Sequence, residues 1–162
     1  MDGAERPSSR VRVAVRVRPP PASSTGLECI NCLPDGRTLE IDGGAGSSVR
    51  ARSFTFDSVH HTTTTQDEFF HSCGVTDLLD AALDGYTATV FAYGQTGSGK
   101  TYTTAGDRSA PSPPPGGNSG LAADAGMMQR TVQYVYAGMA ARPGLKYTVR
   151  ACLPASERRR PP

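Results

Sequence analysis

The sequence predicts an α/β fold with a central, mostly parallel sheet flanked by helices and cut off after about the fourth main strand. Three observations predict it. Residues 10–18, RVRVAVRVR, alternate strictly, with Val11, Val13, Val15 and Val17 on one face and Arg12, Ala14, Arg16 and Arg18 on the other. Residues 87–93, TATVFAY, form a short apolar, β-branched and aromatic run that runs straight into a glycine-rich loop. Two helical patterns flank that unit.

The elements follow in order. Pro19-Pro20-Pro21 ends the first strand. Segments 27–33, 37–42 and 50–57 are rich in β-formers, and Pro34-Asp35-Gly36 and a run of glycines over 43–46 separate them. They predict a small antiparallel meander. Thr65-x-x-Glu68 predicts a capping box, and Asp67 and Glu68 suit a helix N-terminus. Phe69, Cys73, Leu79 and Leu83 share a face of this helix, Gly85 stops it, and Gly74 weakens it internally by about 1 kcal/mol relative to Ala. Residues 87–93 read as a strand buried on both faces. In the second helix Met128, Val132, Val135 and Met139 fall on one stripe. Between the glycine loop and that stripe, residues 106–126 contain Ser112-Pro113-Pro114-Pro115-Gly116-Gly117, which predicts a long exposed insertion. Residues 146–153 are a candidate last strand. Residues 1–9 and 152–162 are expected to be disordered, leaving 10–151 as the domain.

Composition sets outer bounds. A chain of 162 residues is long enough for one domain with a core. Hydrophobic residues are 37% of it, and 18 Gly and 13 Pro point to an ordered domain with loose segments. The net charge of +2 singles out neither nucleic acid nor an acidic membrane, and neither is expected as a partner. The opening MDGAERPSSR has no apolar core of a secretory signal, and no apolar run approaches the roughly 18 residues of a membrane span. Cys29 and Cys32 form a lone C-x-x-C without a second ligand pair, which reads as ordinary reduced thiols. These features suit a cytoplasmic chain.

Gly94-Gln95-Thr96-Gly97-Ser98-Gly99-Lys100-Thr101 fits G-x-x-x-x-G-K-[ST] at every fixed position. Glycines let backbone N–H groups turn inward and approach phosphate oxygens. The helix N-terminus that follows adds partial positive charge. In this motif Lys100 reaches the β- and γ-phosphates and the Thr101 hydroxyl ligates Mg²⁺. ATP and magnesium are the expected cofactors, although a phosphate loop alone does not name a reaction.

Several stretches together resemble the N-terminal half of a kinesin motor domain. Arg16-Val17-Arg18-Pro19 is similar to the family's R-x-R-P segment, and residues 54–59, FTFDSV, resemble its F-x-F-D-x-V strand. Thr65-Gln66-Asp67-Glu68 and Asp84-Gly85-Tyr86 open and close a helix as in that family. Residues 90–103 resemble V-F-A-Y-G-Q-T-G-S-G-K-T-Y-T almost letter for letter. Gly126-Met127-Met128-Gln129-Arg130 resembles the G-I-[IM]-x-R start of the helix that resumes after the family's loop 5. Cys73-Gly74-Val75 and Gln129-Arg130-Thr131 resemble kinesin family member twelve in particular.

The resemblance implies a P-loop NTPase fold, a microtubule-based motor, a cytoskeletal location and tubulin as partner. It implies that Arg16, Arg18 and Pro19 flank the adenine and that Tyr102 packs against the base. The plainer alternatives are a solvated strand face for the two arginines and ordinary helix packing for Tyr102. The family's switch one, N-x-x-S-S-R, and switch two, D-x-x-G-x-E, do not occur in the 162 residues. Hydrolysis needs groups that orient the attacking water and sense the γ-phosphate. The chain is therefore expected to bind ATP without being a competent motor. No catalytic residue is assigned. After Ala151 the sequence departs from the family's pattern, so a truncated, non-functional product is the alternative expectation. Without the later strands, residues 87–93 are expected to lack neighbours and to destabilise the isolated chain.

Overall fold

The computed structural model describes residues 11–20, 29–42, 50–107 and 121–150. The expected disordered ends at 1–9 and 152–162 lie outside these residues, as do most of the insertion and the last residues of the candidate final strand.

Strand β1 (Ala14–Arg16) pairs in parallel with β5 (Ser58–His60), with Ala14, Val15 and Arg16 opposite Ser58, Val59 and His60. The first strand is shorter than its alternation predicts. Val11 and Val13 stay 69% and 45% exposed, because β5 is the one described strand beside β1 and it begins only opposite Ala14. Between these two strands runs the expected meander: β2 (Ile30–Cys32), β3 (Thr38–Ile41) and β4 (Arg52–Thr55), antiparallel in that order. Its first turn is fixed by Asp35, whose carboxylate accepts from Arg37 N at 2.9 Å, Thr38 N at 2.8 Å and Thr38 Oγ1 at 2.6 Å. The Thr38 hydroxyl, followed by the two backbone donors, holds that carboxyl below its ordinary range.

The capping box forms as its spacing predicts. Thr65 Oγ1 accepts from Glu68 N at 3.2 Å, and a Glu68 carboxylate oxygen accepts from Thr65 N at 2.8 Å. The single expected helix is two: α1 (Gln66–Ser72) and α2 (Val75–Leu83). Gly74 sits between them at φ 84°, a left-handed conformation that ends one helix and caps the next. The turn lets both helices press on one small core of Phe70, Val75 and Leu79, with Cys73, Met127, Tyr134 and Val135 packed around it.

Helix α3 (Lys100–Ala105) follows the glycine loop, and α4 (Met127–Ala140) follows the insertion. Gly106 and Ala125 form an antiparallel bridge that closes the insertion's base. The inward stripe of α4 differs from the expected one. Met127, Tyr134 and Val135 meet the core, whereas Met128 and Val132 are 59% and 57% exposed. Arg130, buried at 8% exposure, holds the inward position that a count of apolar residues skips.

Residues 87–93 are not the strand buried on both faces that their composition predicts; they are without strand neighbours among the described residues, as expected for a chain that lacks the later strands. They form no ladder with any described strand, and Phe91 and Tyr93 are 75% and 95% exposed. An apolar β-branched run becomes a buried strand only where neighbours exchange its hydrogen bonds and cover its faces. The candidate last strand is likewise unpaired over its described residues, 146–150.

Candidate nucleotide site

The glycine loop bends sharply between residues 94 and 99. Gly94, Gly97 and Gly99 all have positive φ, at 152°, 81° and 99°. Gly99 is the N-cap of α3 and supplies the left-handed turn that starts it, where a Cβ would be strained. Ser98 N donates to Gln95 O at 3.2 Å across the bend. Lys100, first in α3, turns back along the loop, and its Nζ donates to Gly94 O and Gln95 O at 2.7 Å each.

The loop faces the end of β1. A cavity of about 720 Å³ lies between them, within the range of small-molecule sites. It is lined by Arg16, Val17, Arg18, Pro19 and Pro20 on one side, and by residues 96–103 on the other, with Thr62 and Thr64 at its edge. The structure thus brings together Arg16, Arg18, Pro19, Tyr102 and the loop from Thr96 to Thr101. Gly94 and Gln95 stand behind the wall, with their carbonyls on Lys100. Val17, Thr62, Thr64 and Thr103 line the cavity without having been singled out by sequence. The threonine run before α1 was visible, but nothing in its pattern says which wall it faces.

The two arginines behave differently. Arg18 is exposed and donates to the carbonyl of Gly97 in the loop itself. Arg16 is half-buried, and it donates to Gln66, Thr103 and the carbonyl of Thr64. Burial pulls its guanidinium below the ordinary value, and the neighbouring Tyr102 opposes that shift. His60, beside it on β5, is buried and held below the ordinary imidazole value, first by burial and then by the positive charge of Arg16.

The donor set fits a polyphosphate. An ammonium group, a guanidinium, a threonine hydroxyl and a glycine-rich backbone converge on one cavity. Among the described residues no group of three or more His, Cys, Asp or Glu could hold a metal. The phosphate-loop motif would offer a magnesium ion the Thr101 hydroxyl, beside the phosphates and water. Cys29, Cys32 and Cys73 are free thiols.

A strand-end cavity closed by a G-x-x-x-x-G-K-T loop and its helix defines the P-loop class of nucleotide-binding α/β proteins. Comparison with known proteins narrows the class: the family profile described as "Kinesin motor domain" matches residues 16–153, and the chain belongs to that family. It is similar to human "Kinesin-like protein KIF27", 35% identical over 143 residues, 86% of this chain and 9% of the relative. It is also similar to the "Protein claret segregational" of Drosophila melanogaster, 43% identical over 100 residues, 59% of this chain and 14% of that protein. "Kinesin-like protein KIN-5A" of Arabidopsis thaliana is 29% identical over 143 residues, 86% of this chain and 13% of the relative. The chain thus spans about a tenth of the length of the curated relatives it matches. Kinesin motor domains bind ATP with magnesium, interact with microtubules and are associated with the cytoskeleton. No helix among the described residues is long and apolar enough to cross a membrane.

Proposed function

We propose that this chain is the ATP-gripping part of a microtubule-based motor. The observation that carries the reading is the cavity between the end of β1 and the phosphate loop, where Lys100, Thr101, Arg18 and Tyr102 converge. In this reading the Gly94–Thr101 loop holds the triphosphate and Lys100 exchanges its carbonyl partners for the β- and γ-phosphates. Thr101 holds magnesium. The base lies toward Arg16, Arg18, Pro19 and Tyr102. The bound magnesium would offset phosphate charge, and the chain's own residues bind and orient the nucleotide. Tubulin is the partner and the cytoskeleton the location in the same reading.

A second reading is favoured by one specific observation: neither switch motif occurs in the 162 residues. On that reading the chain binds nucleotide without turning it over. One experiment separates the two. Phosphate release is measured with and without microtubules, alongside Mg-ATP binding by the same preparation. We expect saturable binding and no microtubule stimulation. Clear stimulation would show that the chain is itself a motor ATPase, and absence of binding would remove both readings.

A further inference from the structure

Gln66 lines no part of the cavity, yet its side chain joins two of the residues toward which the base lies. It is the first residue of α1, set in place by the capping box at Thr65 and Glu68, and it is only 3% exposed. Its Oε1 accepts from Arg16 Nη1 at 2.7 Å, and its Nε2 donates to Tyr102 O at 2.6 Å. A guanidinium can only donate and a carbonyl can only accept, so the amide has one orientation here. Arg16 Cζ in turn lies 5.3 Å from the Tyr102 ring centre, which closes a triangle of Gln66, Arg16 and Tyr102.

We propose that Gln66 is a positioning residue for the base end of the site: it fixes the spacing between Arg16 on β1 and Tyr102 on α3. Helix α3 is six residues long and contributes no buried residue to the core, so its distance from β1 depends on bridges of this kind. The direct bridge, from Arg16 Nη1 to Thr103 Oγ1, is the longer one at 3.3 Å. Both partners keep other bonds without Gln66. Arg16 Nη2 donates to Thr64 O at 3.0 Å, and Tyr102 O accepts from Gly106 N at 2.9 Å. Losing the amide therefore orphans neither group and leaves the two walls free to separate. The phosphate loop is held by its own contacts, from Lys100 Nζ to Gly94 O and Gln95 O, and these do not pass through Gln66.

The inference deepens the nucleotide-binding reading and rests on it, and a pair of ligands separates the two. Titration calorimetry of the 162-residue chain uses Mg-ATP and Mg-tripolyphosphate, the second lacking base and ribose. Gln66→Met keeps the length of the side chain and removes both bonds. Gln66→Glu keeps an acceptor for Arg16 and sets a second oxygen against Tyr102 O. We expect each variant to weaken Mg-ATP about tenfold, the low end of what a hydrogen bond to a charged group is worth, and to change Mg-tripolyphosphate by less than about twofold. At saturation the adenine proton resonances should also move as the Tyr102 ring shifts against the base, which a loss of overall stability alone would not produce. Equal losses for the two ligands would overturn the proposal, and so would Mg-ATP affinity unchanged in either variant or adenine resonances that stay in place. Should one variant fail to fold by circular dichroism, the other decides alone. Failure of both would show that Gln66 holds the fold rather than the base, and would overturn the proposal too. All these outcomes leave the nucleotide reading standing, whereas an unsubstituted chain that binds neither ligand removes both.

Discussion

Arg130 ties together parts of the fold that the sequence did not connect. It lies on the inward side of α4 at 8% exposure, where its Nε donates to Ala125 O and its Nη2 to Ala123 O, both at 3.0 Å. Its Nη1 meets the Asp67 carboxylate of α1. One side chain thereby ties the base of the insertion to the first helix. Asp67 is 64% exposed, so the ion pair itself is worth under about 1 kcal/mol. The carbonyl of buried Ala125 matters more, since it loses its donor at a cost of about 1–3 kcal/mol, whereas Ala123 is exposed and its carbonyl can turn to water. Arg130→Ala should lower the unfolding free energy by about 1–3 kcal/mol in urea, whereas Asp67→Asn should change it by less than about 1 kcal/mol. Equal losses in the two variants would mean that the ion pair, and not the Ala125 carbonyl, carries the effect. The sequence hid this role because an arginine in a helical pattern reads as solvent-facing. Lys100 and Thr101 stood out in the sequence for the opposite reason: their spacing from the glycines is the motif itself, and both line the cavity.

Among the elements, the capping box and the first turn of the meander were read correctly, whereas the break between α1 and α2 and the extent of β1 were not. The capping box at Thr65 and Glu68 is closed within one turn, so four residues specify it. The first turn of the meander is specified in the same way, by Asp35. The strand expected over 87–93 depends on neighbours that its own residues cannot supply. The stripe on α4 was displaced because Met127 and Met128 are both apolar, and only the position of Arg130 decides between them. The break at Gly74 was visible as a weak point but not as a turn. Its geometry yields a prediction at this scale. At φ 84° a Cβ would stand 3.0 Å from Arg12 Nη1, the movable end of a side chain, so backbone strain dominates. Gly74→Ala should destabilise the chain by about 1–2 kcal/mol, read as a lower urea midpoint with unchanged slope. A neutral result would mean that α1 and α2 join as one helix in solution.

The whole molecule combines a small core with uncovered apolar surface. The buried cluster is Phe70, Val75 and Leu79, while Tyr86, Phe91, Tyr93, Val132 and Tyr136 stand more than half exposed. Folded domains have a net margin of only about 5–15 kcal/mol, and we expect this chain to lie near the bottom of that range or below it, because so much apolar surface of the described residues is uncovered. A sharp, cooperative thermal transition at high temperature would contradict this. The exposed run also invites association between copies. Phe91→Lys should reduce light scattering on warming and change the unfolding free energy by less than about 0.5 kcal/mol, because the ring is mostly in water. A loss of about 2 kcal/mol or more would mean that the ring is buried in solution. Against this loose background the phosphate loop and the end of β1 still meet to form a cavity. That cavity is the proposed nucleotide site.

The most direct measurement is an equilibrium titration of the 162-residue chain with Mg-ATP, set beside the same titration of Lys100→Ala. Saturable binding at one site, weakened at least about tenfold by the substitution, is the expected result, since a charged donor to phosphate is worth about 1.5–3 kcal/mol. Identical titrations for the two chains, whether both saturable or both flat, would contradict the assignment of this loop as the nucleotide site.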